Sequence, residues 1–84
     1  MKARIYIMPK EGILDPQGLT VGKALKNLGI SKVLDVHMGK IVELTFGINM
    51  SAEKAHEITT AACERLLVNP NIEMYRFDIL ENES

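Results

Sequence analysis

The side chains that could carry chemistry in this chain are few and lie far apart. Asp35 and His37 are two residues apart, so on a strand they share one face and could form an acid–base pair. Such a pair on a hairpin is more often an ordinary surface contact than a catalytic dyad. Cys63 follows alanines on a helical stretch, where a cysteine usually packs as a small apolar residue. His56, flanked by acidic residues, is interpreted as a solvated side chain.

Composition and motifs exclude several functional classes. The 84 residues include ten basic and eleven acidic side chains, a balance that argues against a nucleic-acid partner and against an anionic membrane surface. There is no Cys-x-x-Cys pair for a heavy metal and no glycine pattern typical of a P-loop or dinucleotide site. A single cysteine, no export signal and no run long enough to span a bilayer predict a cytoplasmic protein. We expect no catalytic residue, cofactor site or metal site in this chain.

Apolar periodicity predicts the elements that would position these residues. Strands are predicted over residues 4–8, 33–38, 41–48 and 73–80, and helices over residues 16–28 and from Ser51 to Asn69. Gly39-Lys40 is predicted to close a hairpin between the two middle strands. With right-handed crossovers, this order is the split β-α-β, ferredoxin-like arrangement. It is an α+β fold of order β-α-β-β-α-β, an antiparallel sheet with two helices on one face, formed by one domain over residues 1–84.

The periodicity also predicts which side chains face the core. The predicted core positions are Ala3, Ile5 and Ile7; Val21, Ala24, Leu25 and Leu28; Val42, Leu44, Phe46 and Ile48; Ala55, Ile58, Ala62 and Leu66; and Tyr75, Phe77 and Ile79. A chain this short buries only about 60% of the surface it exposes when unfolded, so we expect it to self-associate, with the open face of the sheet as the contact.

One predicted connection carries apolar residues, where water-facing side chains are usual. This run is Gly12-Ile13-Leu14-Asp15-Pro16-Gln17-Gly18. Asp15 followed by Pro16 is typical of a helix start, because the carboxylate can accept hydrogen bonds from the free amides of the first turn and proline has no amide hydrogen. A loop with a helix cap would explain the run. A preformed contact surface would explain it as well.

Three segments together carry a family resemblance. They are Gly12 to Gly18 with Val21, Ala24-Leu25 and Leu28-Gly29; then Val33, Asp35-Val36 and Gly39-Lys40; and finally Leu66-Leu67, Asn69-Pro70, Ile72-Glu73 and Tyr75. The chain resembles, over nearly its whole length, the PurS family, the small subunit of phosphoribosylformylglycinamidine synthase. That family commonly has an arginine where this chain has His37, so no charged role is carried over to this position.

The resemblance implies a non-catalytic subunit of a purine-biosynthesis complex. In the family, a large synthetase subunit (PurL) uses ATP and Mg²⁺ to activate formylglycinamide ribonucleotide, and a glutaminase subunit (PurQ) releases ammonia from glutamine. The small subunit forms homodimers or pairs of dimers, joins the two larger chains and assists ammonia transfer. The residues expected to contact partners are Ile13, Leu14, Asp15, Pro16, Gln17, Gly18, His37, Gly39 and Lys40.

Two other functional classes remain open at this stage. Regulatory modules that bind amino acids share the predicted order of elements, and their ligands lie beside the first strand–helix loop, where Gly12 falls. Such a module would bind free amino acids or nucleotides on its own, whereas an assembly subunit would not. A stand-alone enzyme is the weaker alternative, because the chain lacks a convincing acid, base or nucleophile.

Overall fold

The computed structural model describes residues 1–81 and contains three strands and two helices. The strands are β1 (Lys2–Pro9), β2 (Lys40–Thr45) and β3 (Glu73–Leu80), and the helices are α1 (Pro16–Asn27) and α2 (Ala52–Ala62), the latter continued by a π-helical turn at Cys63–Leu67. β1 lies in the centre of an antiparallel sheet, with Ile5 opposite Val42 of β2 on one side and Phe77 of β3 on the other. The predicted α+β class with an antiparallel, ferredoxin-like sheet is confirmed.

The core lies between α2 and one face of the sheet. Because side chains alternate along a strand, Ala3, Ile5 and Ile7 of β1 point to the same face, and all three are buried as predicted. Beside them, Val42 and Leu44 of β2 are partly buried on the same face. On the other side, Tyr75, Phe77 and Ile79 of β3 complete this face.

The residues of α2 that face the core differ from the prediction. The structure buries Ala55, Thr59 and Cys63, whereas Ile58 is exposed and Leu66 has 82% of its surface exposed. Small side chains four residues apart let the helix approach the sheet closely, with the Thr59 hydroxyl donating to the Ala55 carbonyl at 2.7 Å. The π-helical turn then changes the angular spacing of the side chains after Cys63, so the 3.6-residue extrapolation to Leu66 fails.

Both ends of α1 are formed as the sequence predicts. The Asp15 carboxylate accepts a hydrogen bond from the Gly18 amide at 3.0 Å, which caps the first turn. At the other end, Gly29 has a φ of +83°, and the Ile30 amide donates to the Leu25 carbonyl at 2.9 Å. This is a Schellman motif, which ends a helix with a left-handed residue. Neither helix within residues 1–81 is long and apolar enough to cross a membrane.

The strand predicted over residues 33–38 does not form, and neither does the hairpin turn at Gly39-Lys40. Residues 30–39, here called the arm, contain no helix or strand, and β2 begins directly at Lys40. The arm lies against α1, where Gly18 is buried against the Val36 carbonyl oxygen. The hairpin is therefore open in the single chain, because the arm packs on α1 instead of folding back on β2.

β2 is also shorter than predicted. It ends at Thr45, and Ile48, which was expected on the core face, has 94% of its surface exposed. The Phe46 amide donates to the Met1 carbonyl at 3.0 Å, and the chain then turns through Asn49, whose φ is +68°. Ile48 therefore lies in this turn and not on the strand, so the alternation of β2 does not extend to it.

The molecule is elongated and exposes an unusual amount of surface. Its radius of gyration is 16.4 Å, whereas a compact chain of this length has about 12 Å. Its accessible surface is 6460 Å², compared with about 5000 Å² for a compact monomer of this mass. The reason is that α2 alone packs closely on the sheet, while α1 packs on the arm. The predicted core stripe of α1 is consequently only partly covered: Val21 and Leu25 are half-buried, whereas Ala24 is exposed and Leu28 has 75% of its surface exposed.

Candidate partner-binding cleft

Two of the predicted contact segments meet at one end of the sheet. The loop before α1 and the chain entering β2 enclose a cleft of about 240 Å³, here called the loop cleft. Its lining residues are Ile7, Pro9, Ile13, Leu14, Asp15, Gln17, Met38, Gly39, Lys40, Ile72 and Glu73. Apolar side chains thus share the cleft with two carboxylates, one amide and one amine, a mixture typical of protein contact surfaces.

Backbone hydrogen bonds hold the apolar wall of the loop cleft in place. The Lys10 amide donates to the Ile72 carbonyl at 2.9 Å, which ties the loop to the start of β3. The Ile13 amide donates back to the Lys10 carbonyl at 3.2 Å, closing a turn in which Gly12 has a φ of +81°. That backbone angle favours glycine. The turn directs Leu14 outward, where it has 72% of its surface exposed.

Asp15 joins α1 to the arm. One carboxylate oxygen accepts from the Gly18 amide at 3.0 Å, and the other accepts from the Met38 amide at 2.7 Å. The Met38 hydrogen bond, followed by the Gly18 hydrogen bond, lowers the pKa of Asp15 below its ordinary value of 3.8. Burial opposes this shift, and the neighbouring His37 ring, 3.9 Å away, adds to it. The ionised carboxylate is therefore the form that this site stabilises.

The charged side chains that line the loop cleft are two carboxylates, Asp15 and Glu73, and one amine, Lys40. The Lys40 amine lies 3.9 Å from a Glu73 carboxylate oxygen, and the other oxygen of Glu73 accepts from the Asn69 amide at 2.8 Å. Lys40 is the only cation that lines the cleft among residues 1–81, and it has an acidic neighbour. This excess of carboxylates over cations disfavours a phosphate group, so the loop cleft is better suited to a partly apolar peptide surface.

The candidate acid–base pair forms, but in open surroundings. The His37 ring nitrogen Nε2 lies 2.9 Å from an Asp35 carboxylate oxygen, as the two-residue spacing predicted. Both side chains are exposed, and neither lines the loop cleft. Water competes for each partner at such a position, so the arrangement is that of a surface hydrogen bond.

The other two candidate reactive residues, Cys63 and His56, lie in environments that do not favour reactivity. Cys63 is completely buried in the core, and this burial raises the pKa of its thiol, which disfavours the reactive thiolate. His56 is exposed, with its ring centroid 4.9 Å from that of Phe77. Within residues 1–81, no group of three or more metal-ligating side chains is close enough to hold an ion.

The structure places some of the predicted contact residues together and others elsewhere. Ile13, Leu14, Asp15, Gln17, Gly39 and Lys40 line the loop cleft. Pro16 is the first residue of α1, Gly18 is buried against the arm, and His37 lies beside Asp35. Their role in binding partners stays a prediction.

Sequence reasoning missed the parts of the cleft contributed by the end of β1, by Met38 and by the residues at and just before the start of β3. Ile72 and Glu73 line it, and Ile72 is an exposed apolar residue that follows the turn at Asn69-Pro70. The criterion that singled out Ile13 and Leu14, an apolar side chain on a connection, would also have found Ile72. The sequence gives no sign of the hydrogen bond from the Lys10 amide to the Ile72 carbonyl, which brings the loop before α1 and the loop before β3 together.

Comparison with known proteins identifies the relatives of this chain. The family model PurS, described as phosphoribosylformylglycinamidine (FGAM) synthase, matches residues 2–81. The phosphoribosylformylglycinamidine synthase subunit PurS of Bacillus subtilis is 40% identical over 80 residues, covering 95% of this chain and 93% of the relative.

Solved structures agree with the sequence match. PurS of Methanocaldococcus jannaschii, described as one of the subunits of formylglycinamide ribonucleotide amidotransferase in the purine biosynthetic pathway, has a TM-score of 0.82 at 34% identity and covers 98% of both chains. A structure of PurLQS from Thermotoga maritima matches with a TM-score of 0.70 at 32% identity, covering 94% of this chain and 95% of the matched chain. The predicted family is confirmed: this chain belongs to the PurS family, the subunits of phosphoribosylformylglycinamidine synthase in purine biosynthesis.

Proposed function

We propose that this chain is the non-catalytic subunit that joins the synthetase (PurL) and glutaminase (PurQ) subunits and assists ammonia transfer between them, and that the loop cleft is a contact surface for one of them. The observation that carries the proposal is the exposure of Leu14, 72% of whose surface is open to solvent at the mouth of a cleft with other apolar walls. The PurLQS structure that this chain resembles supports the choice of partners.

The geometry of the loop cleft suits a docking role. Ile13, Leu14 and Ile72 offer an apolar centre, while Lys40 and Glu73 form a polar rim. Interfaces between proteins commonly combine such a centre with such a rim. The loop is held by backbone hydrogen bonds and by Asp15, so little conformational entropy is lost when a partner binds.

Chemistry in the complex is proposed to belong to the larger chains. ATP and Mg²⁺ are assigned to the synthetase, and this chain is given no cofactor. The exposure of the Asp35–His37 pair and the burial of Cys63 support that division. A cytoplasmic location is proposed with it, since a free cysteine fits a reducing compartment.

The test is reconstitution with the matching synthetase and glutaminase, supplied with glutamine, ATP, Mg²⁺ and formylglycinamide ribonucleotide. Glutamine-dependent product formation and a stable complex are expected only when this chain is present. Leu14→Asp should weaken complex formation by at least about 30-fold, because a central apolar contact is commonly worth 2 kcal/mol or more. Complex formation would be measured by light scattering after gel filtration. Product formation would be measured as glutamine-dependent conversion of formylglycinamide ribonucleotide.

Leu66→Asp is the matched control. Leu66 is also an exposed leucine, at 82% against 72% for Leu14, but it lies on the π-helical turn and does not line the loop cleft. This variant should assemble like the wild type. Equal assembly of both variants would show that the loop cleft is not the contact surface, and full activity without this chain would overturn the joining role. Binding of free amino acids or nucleotides by the isolated chain would favour the regulatory alternative.

We also propose that the chain works as a homodimer or a pair of dimers. Within residues 1–81, fourteen large hydrophobic residues are exposed in the single chain, among them Leu28, Leu34 and Ile48. Such exposure in a chain this small supports burial against another copy.

A further inference from the structure

Glu73 has one carboxylate oxygen that its own chain leaves without a hydrogen bond. Oε1 accepts from the Asn69 amide at 2.8 Å, which closes the turn before β3. Oε2 lies 3.9 Å from the Lys40 amine, which is beyond hydrogen-bond distance. Within residues 1–81, no other group forms a hydrogen bond or an ion pair with Oε2. This charged oxygen on the wall of the loop cleft is therefore available to a donor from another molecule.

The two members of this ion pair differ in how firmly they are held. The Glu73 side chain is 23% exposed and is fixed by the Asn69 amide, whereas the Lys40 side chain is 59% exposed. An exposed lysine on a flexible stem gains little from a carboxylate at this distance. The amine can thus move into water at small cost while the carboxylate stays in the cleft.

Asp15 adds a second negative charge to the loop cleft. Its side chain is only 10% exposed, and its two oxygens already accept from the Gly18 and Met38 amides. These hydrogen bonds hold the pKa of Asp15 below its ordinary value, so the carboxylate is ionised at neutral pH. The His37 ring lies 3.9 Å from Asp15 but does not line the cleft. Asp15 therefore attracts a cation, and Glu73 is the carboxylate that has an oxygen left to bind it.

Apolar side chains surround these charges. Leu14 is 72% exposed, Ile72 43% and Met38 40%, and all three line the loop cleft. A purely apolar occupant would cover Glu73 without supplying a hydrogen bond, and an unpaired carboxylate is costly to remove from water. An arginine or lysine avoids this cost, because its apolar stem packs on such a surface while its charged end reaches the carboxylate.

We propose that the segment of a larger subunit that docks in the loop cleft carries a basic side chain beside an apolar one, and that the basic side chain donates to Oε2 of Glu73 and takes the place of Lys40. The apolar side chain packs against Leu14 and Ile72. In this arrangement Lys40 competes with the cation of the partner. The inference rests on the proposed function of the loop cleft and specifies the chemistry of its occupant.

The test removes one charge at a time and measures binding to the matching synthetase and glutaminase, supplied together, by surface plasmon resonance. Glu73→Gln keeps an oxygen that can accept from the Asn69 amide, so the turn is preserved while the charge is lost. This variant should raise the dissociation constant at least about tenfold at low salt and by less at high salt, because salt screens the lost attraction. Unchanged binding by Glu73→Gln would overturn the proposal.

Substitutions of Lys40 give the opposite sign and leave the turn at Asn69 untouched. Lys40→Gln should bind at least as tightly as the wild type, and Lys40→Glu should bind more tightly at low salt, because each removes a competitor of the partner's cation. An acidic occupant would reverse both signs. Weaker binding by the two Lys40 variants would therefore overturn the proposal even if Glu73→Gln failed to fold.

Lys54 and Glu57 provide the matched control pair. They form an exposed ion pair at 3.6 Å on α2 and do not line the loop cleft. Lys54→Gln and Glu57→Gln change the net charge in the same way as the test variants, and each should bind like the wild type at every salt concentration. Effects equal to those at Lys40 and Glu73 would mean that net charge alone governs binding, which would overturn the proposal.

Leu14→Asp separates this inference from the proposed function. Weaker binding by Leu14→Asp, together with unchanged binding by Glu73→Gln, would keep the loop cleft as a contact surface and overturn its basic occupant. Unchanged binding by Leu14→Asp would show that the loop cleft is not a contact surface, and both would be overturned.

Discussion

Asp15 is the residue on which the local architecture depends most. Its two carboxylate oxygens bind two different segments, the first turn of α1 through Gly18 and the end of the arm through Met38. The sequence predicted the first role, because an aspartate before a proline is a typical helix start. It contained no signal for the second, since Met38 lies 23 positions away.

The first prediction at this scale concerns pH. The pKa of Asp15 in the folded chain lies below its ordinary value of 3.8, so its ionised form stabilises the fold above about pH 4, and this contribution is lost as the pH falls towards the folded pKa. Asp15→Asn should lower the thermal midpoint at pH 6. The variant should also lose less of its midpoint than the wild type between pH 6 and pH 3.

Circular dichroism melts at a fixed chain concentration would measure both effects. Glu43, whose pKa is also lowered, chiefly by the Arg4 hydrogen bond, contributes to acid sensitivity in the two proteins alike. The comparison therefore isolates Asp15. Identical acid sensitivity in variant and wild type would contradict the role assigned to this carboxylate.

At the scale of elements, the packing of α1 on the arm depends on glycine. A Cβ at position 18 would overlap the Val36 carbonyl oxygen and lie 2.7 Å from the Asp15 carboxylate. A Cβ at position 22, one turn later, would lie 3.7 Å from a Val36 methyl group, an ordinary contact. Position 18 therefore has no room for a Cβ, whereas position 22 on the same helix does.

The second prediction follows from this pair. Gly18→Ala should lower the free energy of unfolding by about 1–3 kcal/mol, the usual cost of overpacking. Gly22→Ala should raise it by up to about 1 kcal/mol, because alanine is the better helix former. Urea denaturation followed by circular dichroism, at one chain concentration, compares the two. Equal effects in both variants would mean that α1 does not approach the arm at Gly18.

The elements also differ in how far the sequence alone predicts them. β1 and β3 follow from alternation along the strand, and the end of α1 follows from Gly29, because these signals are local. The core stripe of α2 follows only in part: Ala55 is buried as predicted, but Thr59 is buried instead of Ile58, and the π-helical turn at Cys63–Leu67 changes the spacing before Leu66. That turn has no local signature in the sequence that we recognise.

At the scale of the whole molecule, stability should depend on concentration. Each chain alone buries few large side chains, with only Ile5, Ile7, Thr59 and Cys63 fully enclosed among the larger ones within residues 1–81. If two copies bury each other's exposed apolar side chains, folding is coupled to association. Mass action then raises the thermal midpoint as the chain concentration increases.

The third prediction puts a size on this effect. A tenfold increase in chain concentration should raise the midpoint by about 4 °C, given the entropy of unfolding of two chains of this length. Circular dichroism melts over two decades of concentration would show it. Leu34→Asp should reduce this dependence, whereas Leu66→Asp should keep it. A midpoint that does not change with concentration would indicate that the chain folds alone.

The sequence by itself determined the family, the α+β class, the strands β1 and β3 and both ends of α1, because each of these depends on neighbouring residues or on motifs within short runs. Only the tertiary structure decided that residues 33–38 do not pair with β2 in the same chain. The local preference of Gly39-Lys40 for a turn competes there with contacts from distant parts of the chain, namely Asp15 on Met38 and Gly18 on Val36. Whether a segment pairs as a strand depends on which other segments the tertiary structure brings beside it, and the segment's own sequence does not determine that.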